Sequence, residues 1–179
     1  MELNVTLKAP GACSPAELAA FRNLVVQGDE VDPNCLEDRI ERANTLAFGN
    51  CNGSLVAVAA VKCQELGYRK GIFEKAGIGD LTGNYPYELG WIFVAPDFRD
   101  RKFSVALVEK SLSSFSAENV YSTSKTANTP MHRTLLKFGF SVAGDPWRSI
   151  RGPYDLAMYL RPAAPQPSAA ADAPRAARG

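Results

Sequence analysis

No two of the four cysteines, Cys13, Cys35, Cys51 and Cys63, stand at a CxxC spacing, and His132 is the single histidine. That supply argues against a zinc site and offers no disulfide framework. An excess of one charge is lacking as well: 20 Lys and Arg face 19 Asp and Glu, a formal net charge of +1. Such a balance gives no global support to a polyanion partner, so any anion binding has to be local. Long apolar runs are missing. No stretch approaches the roughly 18 apolar residues of a membrane span. The opening MELNVTLKAP has neither a basic n-region nor an apolar h-region, and the cytoplasm is the expected location.

What is present suits one packed domain. The chain has 179 residues and 46% hydrophobic content, enough for a single core and short for two. Asn4 to Lys8 alternates as a short strand does. Ser14-Pro15-Ala16-Glu17 reads as a capping box with proline at the first helical position. Val31 to Asn44 reads as a second helix, with Asp32 as its cap and Pro33 just inside. Thr45 to Asn50 and Leu55 to Cys63 flank Asn52-Gly53, the pattern of a tight hairpin. Leu66 to Glu74 has no clear period. Tyr87 to Ala95 reads as a central strand, Ser104 to Phe115 as a helix, and Val120 to Ser124 as a strand. Pro130 to Phe138 reads as a helix ended by Gly139, and Phe140 to Ala143 and Tyr154 to Leu160 as closing strands. Residues 162–179 hold no large apolar side chain, so residues 1–161 are expected to form the domain and the rest a disordered tail. The order of elements predicts an α/β mixed sheet with helices on its faces.

One junction stands out. Arg99, Asp100, Arg101 and Lys102 sit between a buried strand and a helix start, where unpaired N–H groups carry a partial positive charge. Adding three cations there builds an anion site. Strand alternation places Glu88, Gly90, Ile92 and Val94 on one face and Leu89, Trp91, Phe93 and Ala95 on the other. Glu88 then needs a reason to lie on so apolar a strand: a general base, or an ion pair at the strand's wet end. Ser122 and Ser124 offer hydroxyls near the end of the next strand. Asn128, before Thr129-Pro130, is either a ligand-binding amide or a helix cap.

Two blocks carry a resemblance. Val94-Ala95-Pro96 followed by Arg99-Asp100-Arg101-Lys102-Phe103-Ser104, and then Asn128 with Lys137, Gly139 and Phe140, are similar to the two signatures of the GNAT N-acetyltransferases. The resemblance covers Ala9 to Arg161 and implies a mixed, mostly antiparallel central sheet with helices on both faces. It implies acetyl-CoA as co-substrate, with a pyrophosphate held by the turn from Arg99 through Asp100, Arg101, Lys102, Phe103 and Ser104. The pantetheine arm would pair with the backbone at Phe93 and Val94 and meet Asn128, in an opening where the Glu88 strand splays from the Tyr121 strand. Glu88 would act as base, with the Val94 N–H or its neighbour as oxyanion donor. Ser122 and Ser124 are candidates for a proton relay, and Tyr85, Tyr87 and Tyr121 for a proton donor. The chain departs from the pattern at Lys102, Ser104 and Met131, where glycine, glycine or alanine, and alanine are usual. It departs again at Leu135, which replaces a tyrosine that often protonates the leaving thiolate. Lys102 is expected in an ordinary helical conformation, which needs no glycine.

These readings lead to direct acetyl transfer to an amine on a small molecule or a protein. Two rivals stand beside it: a degenerate domain that binds acyl-CoA or a macromolecule without catalysis, and a GNAT-like enzyme modifying nucleic acid. The loops expected to bind the acceptor are not acidic, so a polyamine pocket is not indicated. The reading admits a homodimer and calls for neither a membrane nor a metal.

Overall fold

The computed structural model describes residues 2–29 and 31–165. Each element begins from a local cause. Ser14 Oγ accepts from the Glu17 N–H at 3.3 Å while Glu17 Oε2 accepts from the Ser14 N–H at 2.8 Å, and this reciprocal cap starts α1 (Pro15–Gln27). Its apolar face buries Phe21, Leu24 and Val25. Between β2 (Ala43–Cys51) and β3 (Ser54–Cys63), Asn52 and Gly53 both take positive φ, 52° and 79°. Two left-handed residues twist the turn in the sense that suits paired strands.

The helix expected over Val31 to Asn44 is much shorter: α2 covers Leu36–Glu41. Asp32 does not cap it. Its Oδ1 accepts from the Asn34 N–H at 2.9 Å, closing a turn around Pro33, and Cys35 takes the N-cap position with φ 53°. Asp-Pro-Asn is a turn as readily as a helix start, and here the turn competes successfully. The undecided stretch after β3 forms α3 (Leu66–Lys75).

β1 (Asn4–Lys8), β4 (Tyr87–Val94), β5 (Val120–Lys125), β6 (Ser141–Arg148) and β7 (Asp155–Arg161) complete one sheet with the order β1-β2-β3-β4-β5-β7-β6. Its strand pairs are antiparallel except β4 with β5. On one face lie α1, packing Phe21 and Val25 against Val58, Ala60 and Phe93, and α3, packing Phe73 against Tyr121 and Met158. The other face carries α4 (Phe103–Leu112) and α5 (Thr129–Lys137), with Leu107, Val108, Leu112 and Leu135 buried. This is the mixed, mostly antiparallel sheet that the sequence reading expects.

The alternation expected along β4 breaks. Phe93 pairs with Val58 and Gly90 with Ala60, so Trp91 and Ile92 together oppose one residue of β3, and Trp91 has φ 52°. That bulge moves Ile92 and Val94 to the α4 face with Leu89, while Phe93 joins Glu88, Gly90 and Trp91 on the α1 face. Past β7, the Ala163 N–H donates to Asn119 Oδ1 and the Ala164 N–H to the Ser116 carbonyl, both at 2.7 Å. The greater part of the expected tail, residues 166–179, lies outside the described residues. Among the described residues no helix is long and apolar enough to cross a membrane.

Candidate active site

β4 and β5 are neighbours over only two register pairs, Tyr87 with Val120 and Glu88 with Tyr121. β3 follows β4 out to Val94 and β7 follows β5 out to Lys125, so each strand keeps its outer partner while their inner edges part. The parting opens a cleft of about 1150 Å³. Backbone polarity faces into it. The Ala95 N–H donates to the Val56 carbonyl at 2.9 Å, and because N–H groups alternate along a strand, that of Val94 is directed away from β3 into the opening. The Val94 carbonyl shares that edge and accepts from Arg99 Nε at 3.3 Å.

Where β4 ends, a single turn at Pro96–Phe98 leads to extended Arg99, then Asp100 and Lys102, both with φ 60°. Lys102 is therefore left-handed, not helical as expected. It stands where a residue without Cβ is at ease, and the chain accepts strain of about 1–2 kcal/mol there. The first helical bond of α4 runs from the Ala106 N–H to the Lys102 carbonyl at 3.2 Å. The N–H groups of Phe103, Ser104 and Val105 precede it, which leaves the positive end of the helix directed at the cleft. Arg99 and Lys102 flank that end, so this wall is suited to phosphate oxygens.

The opposite end is built around Glu88, 5% exposed. Register sets it across from Lys62, 7% exposed, and the two form a buried ion pair at 2.8 Å. Its second oxygen accepts from Gln64 Nε2 at 2.6 Å and from the Tyr121 hydroxyl at 3.3 Å. A carboxylate has about four acceptor sites, so three are taken and one remains for a further donor. Lys62 Nζ also lies 4.7 Å from the centroid of the Trp91 ring. Gly90 makes this possible: a Cβ there would come within 2.9 Å of Lys62 Nζ and 3.3 Å of Glu88 Oε1.

Eleven of the candidate site residues singled out from the sequence line the cleft: Glu88, Phe93, Val94, Arg99, Asp100, Lys102, Phe103, Ser104, Ser122, Ser124 and Asn128. Arg101 and Tyr121 do not. Arg101 is exposed, and Tyr121 is fully buried behind Glu88. Burial first, and then the negative charge of Glu88, push the Tyr121 phenol far above the usual tyrosine range, so it keeps its proton and supports Glu88. Asn128 acts as a cap, its Oδ1 accepting from the Met131 N–H at 3.2 Å. Leu135 is fully buried against Leu89 and Val108. Tyr85 and Tyr87, other candidate donors, pack on Phe73 and Phe115. His132 is half-buried, its Nε2 2.8 Å from the Lys125 carbonyl oxygen. Lys62 and Gln64 escape sequence reading: a lysine closing an apolar run looks like a strand's wet end until register sets it opposite Glu88.

No family model matches the chain, and no curated protein sequence is similar to it. Solved structures are similar in fold. The ribosomal-protein-S18-alanine N-acetyltransferase from Escherichia coli superposes with a TM-score of 0.66 at 14% identity, over 93% of this chain and 98% of that one. An acetyltransferase of the GNAT family from Bacillus cereus gives 0.63 at 15% identity, over 92% and 100%. The structure of yncA from Salmonella typhimurium with its cofactor acetyl-CoA gives 0.62 at 13% identity, over 96% and 99%. The chain has the fold of the GNAT acetyltransferases.

Proposed function

We propose that this chain is an acetyl-CoA-dependent N-acetyltransferase, with residues 1–161 as the catalytic domain, acting in the cytoplasm on a primary amine of a small molecule or a protein. The observation that carries the reading is the opening between β4 and β5, with a polar strand edge at Val94, a basic helix start at one end and an anchored carboxylate at the other. That layout fits acetyl-CoA. The N–H groups of Phe103 to Val105, with Arg99 and Lys102, suit its pyrophosphate. The Val94 edge suits the amide-bearing pantetheine arm.

The transfer is direct. The amine nitrogen bonds to the thioester carbon, the carbon–sulfur bond breaks, and CoA leaves as a thiolate. Its pKa near 8.5 lets it depart without the tyrosine that Leu135 replaces. The amine proton passes to the remaining acceptor site of Glu88, directly or through water. Lys62, Gln64 and Tyr121 hold that carboxylate in place. The Lys62–Glu88 pair also favours a second reading, a domain that binds acyl-CoA without transfer, because the carboxylate is already engaged by a buried ammonium.

Isothermal titration with acetyl-CoA, and with CoA lacking its 3′-phosphate, tests the cofactor end. Thiol release with a panel of amines tests the rest. Micromolar binding with turnover is the expected result. Glu88→Gln should keep the affinity for acetyl-CoA and lower kcat by about 10²-fold or more. Binding without turnover for every amine would favour the second reading, and no binding at millimolar acetyl-CoA would overturn both.

A further inference from the structure

Eight cationic side chains and three carboxylates line the cleft of a chain whose net charge is only +1. Two of those carboxylates are already committed: Glu88 to Lys62 at 2.8 Å, and Glu65 to Arg42 at 2.9 Å. The third, Asp100, belongs to the loop before α4, at the end suited to phosphate. Around Glu88, therefore, the described residues present a fixed ammonium, and the carboxylate there is already paired with it. Lys62 cannot turn away, because it is buried between Glu88, Gly90 and the Trp91 ring.

Amine chemistry then selects the acceptor. Only the neutral form attacks a thioester. An α-amino group with a pKa of about 8 is roughly one-tenth neutral at pH 7, whereas a lysine-type amine with a pKa of about 10.4 is neutral in about one molecule in 2,500. A site that accepts alkylammonium ions needs a carboxylate free to draw them in and take the proton. Here the carboxylate is held by Lys62 and keeps one acceptor site for a proton, so the pair adds no net attraction for a second ammonium.

We infer that the acceptor is a weakly basic amine, such as an α-amino or aryl amine group, carried on a molecule without net positive charge. This rests on the acetyltransferase reading. The Lys62–Glu88 pair does not draw in polyamines or lysine side chains, and the cationic lining favours a carboxylate elsewhere on the acceptor.

The test uses the full chain with acetyl-CoA at pH 7 and four amines: glycylglycine and 4-aminobenzoate against Nα-acetyllysine amide and spermidine. The kcat/KM for thiol release should be at least ~100-fold higher for one of the first two than for either of the others, following their neutral fractions. Lys62→Met should narrow that gap by about tenfold or more, and Lys62→Arg should keep it. Equal or better use of spermidine or the lysine amide by the unmodified protein overturns the inference, even if Lys62→Met fails to fold. Calorimetry on the same sample separates the two claims. Absence of acetyl-CoA binding, or binding with no turnover of any amine, sinks the acetyltransferase reading and this inference with it. Binding with turnover of cationic amines alone sinks only the inference.

Discussion

Gly90 is the residue on which the site's arrangement turns. Its missing side chain leaves the space that Lys62 Nζ occupies, and any Cβ would meet that atom at 2.9 Å. Gly90→Ala must therefore push the ammonium off Glu88 or shift β4. Overpacking of this kind costs about 1–3 kcal/mol, measurable as a lower urea midpoint at unchanged slope. If the Lys62–Glu88 pair is what disfavours cationic acceptors, the same variant should also use them better than the parent does. The sequence makes Glu88 conspicuous because a carboxylate in a run of apolar residues needs a partner. It leaves Lys62 inconspicuous, since pairing Lys62 with Glu88 depends on a register 26 positions apart along the chain.

At the scale of elements, local chemistry is legible where it acts alone. Ser14 and Glu17 announce α1 because their reciprocal bonds need only four consecutive residues. The hydrogen bond from Lys8, followed by that from the Ser14 N–H, holds the Glu17 carboxyl down at about 2, below its ordinary 4.5. A depressed folded-state value means that the contribution to stability is complete above the ordinary value and is lost as pH falls toward 2. Thermal unfolding should show that loss between pH 4.5 and 2. Glu17→Gln should lack it, so the two melting temperatures converge near pH 2, and high salt should weaken the share owed to half-buried Lys8.

Where two local signals compete, the sequence is less readable. Asp32-Pro33-Asn34 serves equally as cap or turn, and Trp91 carries no mark of the bulge that reverses the faces of β4. Lys102 is the clearest case. The resemblance places glycine at this position, and the observed φ of 60° explains why glycine suits it. Lys102→Gly relieves left-handed strain of about 1–2 kcal/mol and adds about 0.5–1 kcal/mol of unfolded-state freedom. The expected net effect in urea unfolding is a gain of about 0.5 kcal/mol, whereas Lys102→Ala should show no gain because the Cβ remains.

For the whole molecule, the order of strands and helices follows from apolar periodicity and turn residues, which is why the mixed sheet can be read in advance. The cleft is another matter, because it depends on where two strands stop pairing. The residues of Val120 to Lys125 and Gly90 to Val94 do not by themselves say that their shared ladder ends after Glu88 and Tyr121; only the resemblance implies that splay, and the pairing bears it out. The backbone records that divergence in neighbouring amides. The Ala95 N–H is bonded to Val56, while that of Val94 is directed into the opening. In the free protein, Ala95 should exchange its amide hydrogen slowly and Val94 quickly. Saturating acetyl-CoA should slow Val94 markedly while leaving Ala95 as slow as before, if the pantetheine arm pairs along this edge. Ligand at about 100 times its Kd also adds about 2.7 kcal/mol to global stability, which slows every amide that exchanges through complete unfolding. Val94 is the discriminating position because it reports the local edge rather than that global term. Protection at Val94 greater than the global gain supports cofactor binding between β4 and β5. A uniform gain without it would move the ligand elsewhere on the molecule.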